Sequence, residues 1–210
     1  MELDGPNPNR PYPLADHRRV CFIKNFVKSP HIIVGDYSYY DDPVDPEGFE
    51  RNVLYHYGDD RLIIGKFCAI ATQVKFIMNG ANHKLDGIST FPFPIFGHGW
   101  EKEMAQLIGL PSRGDTVVGN DVWMGYDSLV MPGVRIGDGA IVAARSVVVK
   151  DIPPYTIAGG NPAQPLKQRF SEAEIAQLLE IRWWDWDIAK ISRNLHLIMA
   201  ADIQALSNAT

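Results

Sequence analysis

Three kinds of side chain in this sequence have the types and settings for chemistry: histidines, cysteines, and a scatter of basic and aromatic residues. Of the six histidines, His83 stands apart by its surroundings. It ends the run Asn79-Gly80-Ala81-Asn82-His83, whose small and amide side chains let a ligand come close to the ring. A neutral imidazole, with an ordinary pKa near 6.5, suits proton uptake at neutral pH. A lone histidine is more often a surface or packing residue, however, and its type and setting leave that alternative open. Cys21 and Cys68 are too few for a disulfide framework. Neither lies in a Cys-x-x-Cys pair or a Cys/His cluster of metal-ligand spacing, so no metal is expected.

The elements that must position His83 follow from an internal repeat. From Val118 an aliphatic or Met residue recurs at every sixth position: Val118, Met124, Val130, Ile136, Val142 and Val148. Gly119, Gly125, Gly137 and Ala143 follow four of them. Val122, Ser128, Val134, Ala140, Ser146 and Ile152, small or β-branched, come four places after each. This period is neither helical nor strictly alternating. It predicts short strands joined by tight turns: the aliphatics point to the axis, the small residues fill crowded corners, and the glycines supply turn conformations that a Cβ would resist. The fold expected is a parallel β-helix, of a hand that spacing alone leaves undetermined. Cys68 falls at a small inward position of an earlier unit, Ile64-Gly65-Lys66-Phe67-Cys68-Ala69, and reads as inert packing, not as a nucleophile.

That earlier unit continues through Ile70-Ala71-Thr72-Gln73-Val74-Lys75, and an isolated one stands at Val34-Gly35-Asp36-Tyr37-Ser38-Tyr39. Two stretches therefore interrupt the coil, roughly residues 41–60 and 80–115. The second is rich in Phe, Pro, Gly and Trp, and its length marks a functional loop. Ser171-Glu172-Ala173-Glu174 has capping-box spacing ahead of Ile175, Leu178 and Leu179, so a helical tail begins there. That tail is expected to pack back on the coil and cover one end, with Trp183, Trp184 and Trp186 as packing anchors. The segment through Phe26 reads as irregular, then a short helix. The domain organisation expected is a β-helix domain over residues 1–170, carrying its N-terminal segment and the insertion at about 80–115, and a helical appendage over 171–210.

Composition narrows the class of protein. The 210 residues are 46% hydrophobic and 21% charged, as in a globular protein with one sizeable core. A formal net charge of −5 and the lack of any Lys/Arg stripe argue against a nucleic acid partner. No run approaches the ~18 apolar residues of a membrane span. The opening Met1-Glu2-Leu3-Asp4-Gly5-Pro6 lacks the basic region and apolar run of a secretory signal. A cytoplasmic protein that makes no membrane contact is expected.

Several motifs together resemble the xenobiotic acetyltransferases, a left-handed β-helix family. They are Tyr37-Ser38-Tyr39-Tyr40, Ile64-Gly65-Lys66-Phe67-Cys68, Asn79 to His83, Gly119-Asn120-Asp121-Val122-Trp123, Gly159-Gly160-Asn161-Pro162-Ala163 and Trp183-Trp184-Asp185-Trp186. The likeness covers nearly the whole chain. Within the family it is closest to the streptogramin A (virginiamycin A) acetyltransferases, through Gly5-Pro6-Asn7-Pro8, Leu54-Tyr55-His56-Tyr57, the run to His83, and Gly97-His98-Gly99-Trp100-Glu101-Lys102. It departs at Met124, where isoleucine is usual, and at Ala69 and Ala71, where Ser and Gly are frequent; all three are coil positions.

The resemblance implies an acetyl-CoA-dependent O-acetyltransferase that inactivates streptogramin A antibiotics such as virginiamycin M. Its general base would be His83, acting directly in a ternary complex, with no metal and acetyl-CoA as co-substrate. The other histidines do not match the family's catalytic motif; His17, His31 and His196 are left as solvated or packing residues, with His56 and His98 possible neighbours of the pocket. Tyr39, Tyr57, Leu110 and Trp123 fall at acceptor-lining positions, with Phe91, Pro92 and Phe93 of the long loop added to them; the alternative for Tyr39 and Trp123 is core packing, and for Tyr57 plain exposure. Ala143, Ala144 and Gly160 leave room for the pantetheine arm, and Lys150, Lys167 and Arg169 are the basic candidates for its phosphates. The family also implies a homotrimer with sites shared between neighbours, driven by burial of apolar coil faces.

Competing readings are a chloramphenicol or other small-molecule hydroxyl acetyltransferase, a sugar or serine O-acetyltransferase, a β-helical carbonic anhydrase and a non-enzymatic scaffold. The aromatic loop disfavours a sugar or serine site. Of the histidines only His83 is expected close to the coil strands, which disfavours three converging zinc ligands. The insertions disfavour a bare scaffold.

Overall fold

The computed structural model describes residues 5–209. Residues 1–4, which open the stretch read for a secretory signal, and residue 210 lie outside the described residues. The six-residue period folds into a parallel coil with three faces. On the first face lie Tyr39–Asp41, Ala69–Ile70, Trp123–Met124, Ile141–Val142 and Thr156–Gly160. The second is built from Val53–Leu54, Lys75–Ile77, Leu129–Val130 and Val147–Val148, and the third from Ile32–Val34, Leu62–Ile64, Thr116–Val118 and Arg135–Ile136. Val118 pairs with Ile136, Met124 with Val142 and Val130 with Val148, so three six-residue units make one turn. Every sixth residue thus returns to the axis. All six repeat aliphatics and all six small residues four places on are buried, in one continuous core that runs from Cys21 to Ala158.

The glycines after the aliphatics serve a different purpose from the one expected. Gly119 and Gly125 do not carry the turns; a Cβ on Gly119 would stand 2.7 Å from the Asp138 nitrogen, and one on Gly125 2.6 Å from the Ala144 nitrogen. They let one coil's backbone lie directly on the next. Left-handed turn conformations fall two places further on, mostly at residues with a side chain: Tyr37, Phe67, Gln73, Asp121, Asp127 and Arg145. Regular neighbour contacts at the corner over-determine those backbones and hold them there. Asn120 is one such tie, accepting from the Lys66 amide at 2.8 Å and donating to Asp138 Oδ1 at 2.8 Å.

The first interruption is not continuous. Val53–Leu54 lies inside it as a coil strand, parallel to Lys75–Ile77. The strand is two residues long and no Gly follows it, so it left little signal. The second interruption leaves after Lys75–Ile77 and returns at Thr116–Val118, close to the bounds expected.

Both edges of the first face are closed by antiparallel strands. Val20–Phe22 pairs with Tyr39–Asp41 at one edge, where the sequence suggested only irregular chain before the short 3-10 turn Ile23–Asn25. At the other edge Ala163–Gln168 folds back on Thr156–Gly160. The helices α1 (Glu172–Ile181), α2 (Ile188–Ala200) and α3 (Ile203–Ser207) follow. α1 begins with the expected capping box of Ser171 and Glu174. These helices do not cover an end of the coil; they lie along one corner row. Tyr37 stacks on Phe67 at 4.7 Å and Phe67 meets Trp183 at 4.9 Å. Tyr155, Ile175, Leu178, Trp184 and Ile203 form the buried seam. Trp184 is fully buried, Trp183 packs on Phe67, and Trp186 lies under the Lys190 ammonium at 4.2 Å.

Asp121 and Arg169 meet at 3.8 Å in this seam. Burial pushes the Asp121 carboxyl up to about 6, against the pull of Arg169 and with a further push from Asp138. The unfolded chain releases this proton near pH 3.9, so between there and about pH 6 the folded state holds a proton that the unfolded state has lost. Stability from this group therefore falls as pH rises through that window. Asp121→Asn keeps a residue that tolerates the left-handed backbone and removes the slope. Urea midpoints of variant and parent at pH 4 and pH 7 are expected to show the variant gaining on the parent at the higher pH.

Candidate active site

His83 follows a single 3-10 turn, Asn79–Ala81, at the point where the chain leaves the second face. Gly80 is required there by close approach: a Cβ would collide with the Tyr55 carbonyl oxygen and press on the Tyr57 ring. The two excursions meet at this point, which brings Tyr57 of the first into the same cavity as His83.

The ring of His83 is oriented by one bond. Its Nδ1 lies 2.8 Å from the carbonyl oxygen of Thr90. A carbonyl can only accept, so Nδ1 carries the proton and donates it. The neutral imidazole is thereby held as the tautomer whose Nε2 keeps a free lone pair.

The ring lies at the rim of a cavity of about 630 Å³. Phe91, Phe93, Ile95, Trp100, Leu107 and Leu110 give it an apolar wall. The rings of the excursion form an exposed aromatic cluster: Phe91 stacks on Phe96 at 4.9 Å and meets Phe93 edge-on at 4.8 Å, and Phe93 meets Trp100 at 5.3 Å. Polar and charged groups also line it, among them Asn82, Lys84, Lys102, Glu103 and Gln106. Such a chamber takes a largely apolar, drug-sized molecule and orients it with a few polar contacts.

Tyr57, Phe91, Pro92 and Leu110 line the cavity with His83. Tyr57 is 82% exposed yet forms part of the wall. Tyr39 and Trp123 do not line it. They share one register row of the first face through Ala69, and Trp123, at 55% exposure, is not the core residue that the packing alternative required. Trp100, Leu107, Lys84 and Gln106 line it as well; Trp100 stands in the run Gly97-His98-Gly99-Trp100-Glu101-Lys102, whereas the rest of the 3-10 segment Trp100–Leu107 has a mixed composition that carries no pocket signal.

Ala143, Ala144 and Gly160 come together at a corner of the coil, with Ala143 donating its amide to the Ala158 carbonyl at 2.8 Å and Gly160 to Ser146 Oγ at 3.1 Å. Lys150 is exposed beyond the second-face strand Val147–Val148, whereas Lys167 is exposed on the edge strand of the first face. Arg169 is also exposed but is not free: it donates to the Gly139 carbonyl at 2.6 Å and lies over the Tyr155 and Phe170 rings. Its guanidinium therefore joins coil to tail.

His56 and His98 do not line the cavity. The expectation that only His83 lies near the coil strands does not hold, since His31 adjoins Ile32–Val34 and meets the His56 ring edge-on at 5.8 Å. His56 Nε2 bonds the Asp60 carbonyl at 2.6 Å. Among the described residues no group of three or more His, Cys, Asp or Glu could hold a metal. Cys68 is fully buried with Sγ 3.0 Å from the Gly119 carbonyl, and burial pushes its thiol up to about 12, where no useful thiolate forms.

Residues 115–150 match the model of the bacterial transferase hexapeptide family (six repeats). The chain is 50% identical over 204 residues to a virginiamycin A acetyltransferase of Staphylococcus aureus, covering 96% of this chain and 92% of that protein. It is 54% identical over 166 residues to a probable macrolide acetyltransferase of Lysinibacillus sphaericus, covering 78% and 92%. A chloramphenicol acetyltransferase of Agrobacterium fabrum is 44% identical over 184 residues, covering 86% and 88%. Identity of this level along nearly the whole length joins the repeat, the excursions and the tail into one inheritance, and the chain belongs to the xenobiotic acetyltransferase family of hexapeptide-repeat proteins, acetyltransferases built on a left-handed parallel β-helix.

Proposed function

We propose that this protein moves the acetyl group of acetyl-CoA onto a hydroxyl of a streptogramin A antibiotic of the virginiamycin M type, with His83 as general base. The observation that carries the reading is the Nδ1–H bond from His83 to the Thr90 carbonyl at the rim of an apolar cavity. It leaves Nε2 as the proton acceptor.

A secondary hydroxyl has a pKa of about 16, similar to water, and full deprotonation by an imidazole of pKa ~6.5 would cost roughly 13 kcal/mol. Proton uptake by Nε2 is therefore concerted with attack of the hydroxyl oxygen on the thioester carbonyl carbon. The tetrahedral intermediate collapses with cleavage of the C–S bond, and the imidazolium returns the proton to the leaving thiolate. Acetyl ester and free CoA thiol result. No covalent acetyl-enzyme is needed, in keeping with a Cys68 thiol that is buried and protonated.

An apolar wall without a buried charge favours a neutral hydrophobic acceptor. The 50% identity over 96% of the chain to a protein named virginiamycin A acetyltransferase favours a streptogramin within that class. For the donor, Ala143, Ala144 and Gly160 offer a corner of small residues where the pantetheine amides meet backbone groups, and Lys150 and Lys167 are the free cations for its phosphates. Tyr39 and Trp123 stay acceptor residues in this reading only if a neighbouring subunit brings them to the cavity. A homotrimer with shared sites supplies that arrangement and covers Trp123 and the apolar outer rows.

In a thiol-release assay with acetyl-CoA, turnover is expected with virginiamycin M above that with chloramphenicol, and His83→Ala is expected to lose at least ~100-fold in kcat while binding acetyl-CoA as before. An unchanged rate in that variant would remove His83 from the mechanism; a preference for chloramphenicol would reassign the acceptor alone. Light scattering is expected to give the mass of a trimer. A fully active monomer would refute the shared site.

A further inference from the structure

The excursion that holds His83, Thr90 and most of the cavity wall is tied across its neck by the side chain of Asn79, with Asn82 beside it. Its Oδ1 accepts from the Arg113 backbone amide at 2.9 Å and from Asn82 Nδ2 at 3.1 Å. Its Nδ2 donates to the Gly114 carbonyl at 2.9 Å and to Asp60 Oδ2 at 3.0 Å. All the hydrogen-bonding sites of the amide are thus used. The same Asp60 oxygen also accepts the Asn79 backbone amide at 3.0 Å. Residues on both sides of the neck, 79 and 82 where the chain leaves the coil and 113 and 114 on its return, therefore meet on one amide, which is anchored to the first excursion through Asp60. Beside it, Asn82 donates to the Pro111 carbonyl at 2.8 Å.

We infer that the Asp60–Asn79 pair is a positioning device for the acetyl transfer, setting the His83 ring against the acceptor by fixing the neck of its loop. The inference rests on the proposed role of His83. Asn79 is not a catalytic residue, since it does not line the cavity, whereas Asn82 and His83 beyond it do. The coil needs none of these bonds, because its strands pair with one another. Misplacement of a reacting group by about 1 Å can cost ~100-fold in rate, so a loosened neck acts on turnover far more than on donor binding.

The conservative variant provides a pH signature. Asn79→Asp puts a carboxylate against Asp60, and two like charges that close raise the pKa of one of them. Once protonated, the new side chain donates to Asp60 again. The other titratable and charged groups around the neck are His56 at the Asp60 carbonyl, Arg113, and the Arg61–Asp115 ion pair at 2.7 Å. All of them, and His83, are also present in the parent, so the ratio of variant to parent rates isolates position 79.

The test combines kinetics with amide hydrogen exchange on the full-length protein. Asn79→Ala is expected to lower kcat at least ~10-fold, leave the KM for acetyl-CoA within about twofold, keep the parental circular dichroism, and speed exchange across residues 80–114. The rate ratio of Asn79→Asp to parent is expected to rise severalfold between pH 8 and pH 5.5. A parental kcat in Asn79→Ala, a flat ratio in Asn79→Asp, or loss of the coil signal in Asn79→Ala would each overturn the inference, the last by making Asn79 a folding residue. Exchange requires no acceptor, so unchanged exchange refutes the clasp even if acetyl transfer itself fails in the parent protein.

Discussion

Successive turns of this molecule are tied by backbone hydrogen bonds that run parallel to the coil axis. On the third face Gly35 donates to Ile64, Gly65 to Val118, Gly119 to Ile136 and Gly137 to Ile152, each at 2.8 Å. Strands of two or three residues have no other way to satisfy their buried peptide groups, so each turn exists only against its neighbours. The close approach leaves no space for a Cβ at Gly119 or Gly125. The axial row of aliphatics follows from the same stacking, because a residue that returns to one line must fill a column of constant width. Of the departures from the family pattern, Met124 is fully buried in that column and flexible enough to fill it, whereas Ala69 and Ala71 lie outside it at half-buried positions.

A scaffold of this kind has no natural cleft, and its interior is chemically silent. The two cysteines are buried, with thiols pushed up to about 12 by burial. Reactivity has to be carried on chain that leaves the coil. The excursion over residues 80–115 does so with a wall of aromatic residues that pack on one another and a histidine oriented by a backbone carbonyl of the same loop. Orientation by a local carbonyl makes the tautomer independent of any distant acidic residue. It also makes the chemistry depend on how well the loop is anchored, since the coil itself does not touch the ring's bonding nitrogen.

The tail solves a separate problem. The corner residues Tyr37, Phe67 and Tyr155 carry large side chains with left-handed backbones, and their rings would otherwise stand in water. Trp183 and Phe170 cover them, while Arg169 closes the seam between the Gly139 carbonyl and the Asp121 carboxylate. A basic residue near the end of the repeats thus takes part in packing, which its type and position, the same as those of Lys150 and Lys167, did not reveal.

The repeat period, the buried columns and the point at which the chain departs for its long excursion were legible in the sequence, because a periodic structure imposes the same local demand on every unit and writes it into residue type. His83 was legible only through its motif. Tyr57 and Leu110 came through the same resemblance, and Phe91 and Pro92 from the aromatic character of the long insertion; all four line the cavity with His83. What the tertiary structure decided are relations between residues far apart in the chain. It showed that Val53–Leu54 is a coil strand, that the glycines make room and do not turn the chain, that the helices lie along a corner, and that Tyr39 and Trp123 share a row away from the cavity. It also supplied the Thr90 carbonyl that selects the histidine tautomer and the amide of Asn79 that draws both ends of the loop together. Hydrogen bonds and packing of this sort depend on where two segments meet in space, and the order of residues along the chain does not record that meeting.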